Sequence, residues 1–523
     1  MTKPFENRIL LVTLLSTFAA FQPLKSLGNP TEGVLSCTNL SLPELPRVDI
    51  LGDAVKALTN RIERQRTPQN LLERARAYFL EGRFPAAIKD LSDALTMQPK
   101  LKEALTLRAY CYLRTQDYPA ARADFSTLSK LEPSSAIYHC AIAYCLHRED
   151  KTTEAIEEVN KAIAIEPKNA YFYQLKVAMY GSGNDLQNTL KTIQQGLEAS
   201  PNDENLLFSR AYAAEIMQKD DRAALKELDQ LIALHPDFDK AYEERAAIEE
   251  RKGEWQKAKT DYDTLIDFAQ KDNASSMDKA INLAQQKDLI GGVFLIAGAM
   301  PSLRQKSFYL GRRAEAYRNL RDFDKAHEDS LMETLLSPKN PEAYYELAMI
   351  DYDMDDLKGS NHALDTVLLL NPKHTGALFL HGYVLTAFGD YGQAAKSFSS
   401  VYQIGDDEEA TRYAYIYALS AKLLGKADIA ADLEEAAKHE DLEKWPGIFV
   451  AYLQKKIDRQ KFEAAAANDK NKTTEMHCFL GLKDLADGKK TEALEHFKWV
   501  VDNGEKSFLE FPLSRYFVEN IKN

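Results

Sequence analysis

Cysteine is scarce in this chain. Five in 523 residues, an odd number, make no disulfide framework. Cys111 and Cys145 hold the same place in consecutive 34-residue stretches. Neighbouring helices pack about 8–10 Å apart, beyond a disulfide's ordinary reach, so free and mostly buried thiols are expected. Ligand spacing is also missing. In the stretch from His139-Cys140 to Cys145-Leu146-His147, Cys140 and His147 share a helical face but stand about 10 Å apart along the axis. No pair there has the i, i+4 spacing one zinc ion uses, so no metal and no cofactor are expected. There is no basic block, and the net charge is −13, which argues against a partner recognised by neutralising phosphates. Catalytic constellations are absent too. Gly181-Ser182-Gly183 has no strand before it. His362, His374 and His381 fall on different helix faces, and the acidic run 351–356 reads as a solvated turn. With no non-repeat stretch long enough for a catalytic domain, an enzyme is not expected. The apolar run 291–300 is too short to span a bilayer and reads as a buried helix.

What the chain does have is a beat. Small residues recur at Ala75, Ala109, Ala143, Val177, Ala211, Ala246, Ala280, Ala314, Ala348 and Gly382, in steps of 34 with a single step of 35. A second series runs in phase: Ala87, Ala121, Ala155, Thr189, Ala224, Ala258, Gly292, Ala326, Ser360 and Ala394. Prolines keep the same time at 99, 133, 167, 201 and 236, then at 338 and 372. A fixed period of this length marks a helical hairpin stacked repeatedly on itself. The first series lets the second helix of a hairpin approach the first, and the second series admits the next hairpin. Between them lie a turn and a bulky anchor, as in Gly82-Arg83-Phe84, Gln116-Asp117-Tyr118 and Gly389-Asp390-Tyr391. Proline ends the second helix because it lacks an N–H and clashes with the preceding turn.

The pattern resembles the tetratricopeptide repeat family. It is cleanest over 68–101, where Leu71, Ala75, Tyr78, Gly82, Phe84, Ala87, Leu91, Ala94 and Pro99 stand at the family's pattern positions. The resemblance implies an all-α, right-handed superhelical solenoid of about 12 antiparallel hairpins. We expect ten 34-residue units over 68–408. The unit at 273–306 is degenerate: it lacks the anchor and turn glycine but keeps Ala280, Gly292 and Ala299. Divergent repeat-like helices and a cap are expected over 409–523. That end is similar, in a scattered way, to bacterial envelope lipoproteins of the same repeat class. Residues 29–67 are expected to form a linker and a capping helix from about Asp49 to Arg66.

At the N-terminus, Lys3 and Arg8 precede an apolar stretch from Ile9 to Phe21, and Ser26-Leu27-Gly28 offers small residues beyond it. This reads as a signal peptide cleaved after Gly28, and hence export to the periplasm or cell envelope; the alternative is an uncleaved anchor. A lipid anchor on Cys37 is disfavoured, because Lys25 and Pro30 separate it from the apolar stretch. No transmembrane span is expected in the mature chain.

In the repeat family the inner face, lined by the first helix of each hairpin, is where partners bind. Repeat positions 5, 9 and 12 project to one side. The candidate residues, including position 13 beside them, are Tyr110, Arg114, Tyr144, Arg148, Tyr345, Met349, Tyr352, Phe379 and Tyr383. Aromatic side chains in a groove are the usual anchors of peptide and protein interfaces, and the arginines could pair with a carboxylate or phosphate. Packing between helices is the alternative use for the tyrosines. The lysine and asparagine pattern by which chaperone-binding members clamp a C-terminal carboxylate is missing: Arg76, Thr106, Tyr110 and Cys140 stand in those places. The expected function is a non-enzymatic scaffold or adaptor for a protein or peptide. The alternatives are an accessory subunit of an envelope enzyme complex and a glycan or small-ligand binder.

Overall fold

A computed structural model describes residues 48–285, 289–405 and 408–521. Among them there are 26 α-helices and no strand. Consecutive helices pack in pairs, the arrangement of a helical-repeat solenoid. The contacts divide the chain into two units that meet between Ile248 and Glu249.

In the first unit α1 (Val48–Arg64) leads the stack. It is joined to the next helix by an Arg61–Glu73 pair at 3.0 Å and a bond from Arg74 to the Thr59 hydroxyl at 3.1 Å. Five hairpins follow: α2 (Pro68–Leu80) with α3 (Phe84–Met97), α4 (Lys102–Arg114) with α5 (Tyr118–Leu131), α6 (Ala136–Arg148) with α7 (Thr152–Ile165), α8 (Ala170–Ser182) with α9 (Leu186–Ala199), and α10 (Glu204–Tyr212) with α11 (Asp221–Leu234). A π turn, Ala213–Met217, extends α10. It coincides with the single 35-residue step, so the extra residue is absorbed inside a helix. The unit closes in α12 (Asp239–Arg251). Both small-residue series are buried at the helix contacts, Ala75, Ala109, Ala143, Ala87, Ala121 and Ala155 each showing no exposure.

Each hairpin turn needs one left-handed residue. It falls at Gly82, Gln116, Asp150, Asn184, Lys219, Gly253, Arg321, Asp355 and Gly389, with φ between 55° and 80°. Only three of these are glycine, so the other turns carry the steric cost of a Cβ in that region. Aspartate caps add order: Asp117, Asp185, Asp203, Asp220, Asp356 and Asp390 each accept a backbone N–H of the first turn that follows.

The second unit opens differently. Helices α13 (Trp255–Gln285) and α14 (Leu289–Asn319) are 31 residues each and pack along one another. The proline series lapses at Gln270 and Arg304, and the helices run through both positions. Residues 273–285 and 289–306, expected within a hairpin of their own, therefore belong to the far ends of these two long helices. The apolar run 291–300 lies in α14, and its side chains are outside the described residues. Regular pairs resume with α15 (Phe323–Leu336), α16 (Pro341–Asp353), α17 (Leu357–Leu370), α18 (Thr375–Phe388), α19 (Tyr391–Ile404) and α20 (Glu408–Leu424). Three short helices follow: α21 (Ala430–His439), α22 (Ile448–Leu453) and α23 (Arg459–Ala466). The hairpin α24 (Lys470–Ala486) with α25 (Lys490–Asn503) then packs back on α20. The last helix, α26 (Glu510–Asn520), lies against α18, α24 and α25. Stacked rings bind this region, with Phe449 against Phe479 at 4.9 Å and Phe497 against Phe517 at 4.8 Å.

No helix among the described residues is long and apolar enough to cross a membrane. The expectations for residues 1–47 lie outside the described residues: the cleavage site after Gly28, the anchor alternative, Cys37 and most of the linker.

Candidate partner-binding face

The nine candidate residues separate by burial. Tyr110, Tyr144, Tyr352 and Tyr383 are at most 1% exposed and belong to the core, so they line no open groove. The reason is local. Position 9 turns toward the second helix of its own hairpin, where Tyr110 meets Phe125 edge-on at 6.2 Å. Tyr144 meets the anchor of the preceding hairpin, Tyr118, in the same way at 6.2 Å. In the second unit the chain's own last helix covers the row. The Tyr352 hydroxyl donates to the Leu509 carbonyl at 2.9 Å, and Tyr383 donates to the Glu510 carboxylate at 2.9 Å. Tyr417 donates to the same carboxylate. Burial pushes the Glu510 carboxyl up from its ordinary value, and the two phenols pull against that shift.

The arginines are used internally as well. The Arg114 guanidinium lies 5.5 Å from the Phe84 ring and Arg148 lies 4.9 Å from the Tyr118 ring. Each sits on the anchor of the preceding hairpin in a cation–π contact. Arg114 remains exposed, while Arg148, Tyr345, Met349 and Phe379 are half-buried. Tyr345 rests on His374 with ring centres 4.7 Å apart, and Phe379 packs on Phe398 at 5.6 Å.

One further reading changes. Asp351, placed in a solvated acidic turn, is buried on α16. Its carboxyl is pushed up to about 6 by burial, against the pull of His327 at 3.3 Å. The four described cysteines are buried free thiols, with Cys111 and Cys140 pushed up to about 12 by burial. Beside them, His139 is held by Glu158 at 2.7 Å. Among the described residues no three histidine, cysteine, aspartate or glutamate side chains gather as a metal-ligand set.

Periodic reading passed over two features. One is a clasp inside the hairpin: Arg74–Asp90, Arg108–Asp124 and Arg313–Asp329, each bidentate at 2.7–2.8 Å. All three pairs are 16 residues apart, and each arginine also lies about one ring away from a tyrosine four residues on. The arginines keep the 34-residue beat, which was the available signal. The other is an acid-rich stretch on α14–α16. Phe308, at position 2 of its hairpin, is 58% exposed; three residues on, Gly311 faces Glu333, and Glu346 feels the Glu333 charge. Burial pushes Glu333 up to about 7. Glu346 is pushed up to about 8, by burial first and then by the Glu333 and Glu315 carboxylates. The neighbouring arginines are engaged elsewhere: Arg312 with Glu315 at 2.6 Å and with Glu250, Arg318 with Asp353 at 2.6 Å.

Comparison with known proteins agrees with the repeat. The tetratricopeptide repeat profile matches residues 72–128, 106–170 and 345–409. No match was found among curated proteins. Solved structures that resemble the chain include the C-terminal part of a TPR repeat-containing protein from Cytophaga hutchinsonii, 17% identical. It covers 53% of this chain and 99% of its own, with a TM-score of 0.37. A tetratricopeptide repeat protein from Parabacteroides merdae is 12% identical, covers 54% of this chain and 98% of its own, and scores 0.33. YrrB, described as a TPR protein with an unusual peptide-binding site, is 16% identical, covers 37% and 99%, and scores 0.29.

Proposed function

From a chain built on tetratricopeptide repeats, we propose a non-enzymatic scaffold that holds a protein or peptide segment on the inner helices of its second unit. The observation that carries this is the row formed by α14 and α16. Phe308 is exposed there, Tyr345 and Met349 are half-buried, and Glu346 falls between those two along α16. An exposed aromatic beside half-buried apolar groups and charges is the composition of an interface hot spot and its rim. In the first unit the corresponding tyrosines are core, which leaves Arg114 as the exposed candidate. A glycan reading needs open aromatic platforms, and burial of four of the five candidate tyrosines removes most of them. We place the protein in the cell envelope on the strength of the Ile9–Phe21 segment; cell fractionation tests that, and recovery of the chain in the cytoplasmic fraction refutes it, while a mature chain that starts at Met1 refutes cleavage after Gly28 alone.

The partner reading is tested by photo-crosslinking in the native cell. A crosslinking residue is placed at Phe308 or Tyr345, with a second set on the outer helices at Lys226 and Lys325. Reproducible capture of the same protein from the inner positions alone is expected. Equal capture from both sets, or none, refutes the inner-face reading.

A further inference from the structure

Glu333 breaks a series. On the 34-residue beat its position is held by Ala94, Leu128, Ala162, Gly196, Leu231, Leu265, Val367 and Val401. The seven with side chains are at most 2% exposed, because this position meets the inner helices. A single carboxylate stands in that layer. It is 6% exposed, and its Oε2 has no hydrogen-bond partner. The helix opposite makes room for it: a Cβ on Gly311 would lie 2.6 Å from that oxygen, so any side chain there would displace the carboxylate. Gly311 occupies position 5 of the inner row, so the Glu333 carboxylate fills the space that a side chain there would take, at the face proposed above. Glu346 borders it from α16. A buried carboxylate without a partner costs several kcal/mol of stability, and an apolar residue would avoid that cost. Groups kept at such expense mark functional sites.

We propose that the carboxyl pair beside Gly311, Glu333 with Glu346, receives one cationic side chain of the bound segment, a lysine or arginine. This rests on the scaffold reading and adds the partner's chemistry to it. The two arginines at hand form their ion pairs with other carboxylates, Arg312 with Glu315 and Glu250 and Arg318 with Asp353, and act on Glu346 only through space. The surplus beside Gly311 is two carboxyl groups. Entry of an ammonium group ionises them and expels protons, so affinity rises with pH between about 6 and 8. Glu315, Arg312 and Arg318 face the same space and set the background field.

The test uses the full chain, calorimetry and two probes: the blocked peptide (Gly-Lys)3 and its Nε-acetylated twin. The lysine peptide should bind at least about tenfold more tightly than the acetylated one, with a heat that depends on the buffer because protons are released. Glu333→Leu should weaken binding about tenfold or more while raising thermal stability, since leucine is the residue found at 128, 231 and 265. Glu346→Gln should weaken binding without that gain. Equal binding of the two peptides overturns the proposal. So does no binding by the wild-type chain at millimolar peptide, or unchanged binding by a folded Glu333→Leu variant. A crosslinked partner held equally well by Glu333→Leu overturns the carboxyl-pair site alone and leaves the scaffold standing.

Discussion

Replacing Glu333 by glutamine should flatten the pH dependence of the α15 region. Burial lifts the folded-state carboxyl from its ordinary value of 4.5 to about 7, so the protonated form favours the fold. Its contribution is fully present below pH 4.5. It is lost as pH rises through about 7, and nothing further is lost above that. At about 1.36 kcal/mol per pH unit, the interval corresponds to about 3 kcal/mol. Glutamine is neutral throughout, fills nearly the same space beside Gly311, and removes the repulsion felt by Glu346. An array of repeats does not unfold in one step, so a global melting curve would blur the effect. Native-state hydrogen exchange of the α15 amides reads it locally. Between pH 4.5 and 8, wild-type protection should fall relative to Glu333→Gln by about a hundredfold. Parallel protection in the two proteins across that range would refute the buried, partnerless carboxyl.

Other predictions concern the frame. Asp124→Ala strands the Arg108 guanidinium and should cost about 3 kcal/mol, whereas breaking the exposed Arg66–Asp93 pair should change stability by about 0.5 kcal/mol or less; hydrogen exchange of α4 and α5 distinguishes them. Gly382→Ala sets a Cβ within 2.5 Å of the Phe398 ring and should destabilise the second unit by about 1–3 kcal/mol, seen as an earlier thermal transition. Lys219→Gly relieves a left-handed turn at φ 55° and should stabilise α10–α11 by up to about 1 kcal/mol. Tyr144→Ala should lower thermal stability by several kcal/mol, about 3 as an order of magnitude, whereas Tyr345→Ala should lower partner capture more than stability.

The hairpin frame was legible because it is periodic. Two small-residue series and a proline series agree in phase, and the lapses at Gln270 and Arg304 mark where helices run on. Helix periodicity also says which side chains share a face. It does not say how closely the next hairpin approaches, so Tyr110 and Tyr144 read as groove residues although Phe125 and Tyr118 cover them. The contacts of Tyr352 with Leu509 and of Tyr383 with Glu510 join residues 157 and 127 apart, a separation with no periodic signature. Glu333 was visible in principle. Finding it means asking which charged residue interrupts an otherwise apolar series, rather than which residues sustain it.

In a stack held by nearest neighbours, the free end frays first and unravelling proceeds one unit at a time. The anchoring of α26 changes that for the second unit. Its first residue is gripped by phenols from α18 and α20, the carbonyl before it by one from α16, and Arg515 holds the Asp355 turn at 2.9 Å. Peeling the last helix away therefore means releasing three earlier helices together, so the terminus becomes a clasp closing a loop of more than 150 residues. Pulled from the C-terminus, the segment from α16 onward should yield as one event rather than as a ladder of small steps.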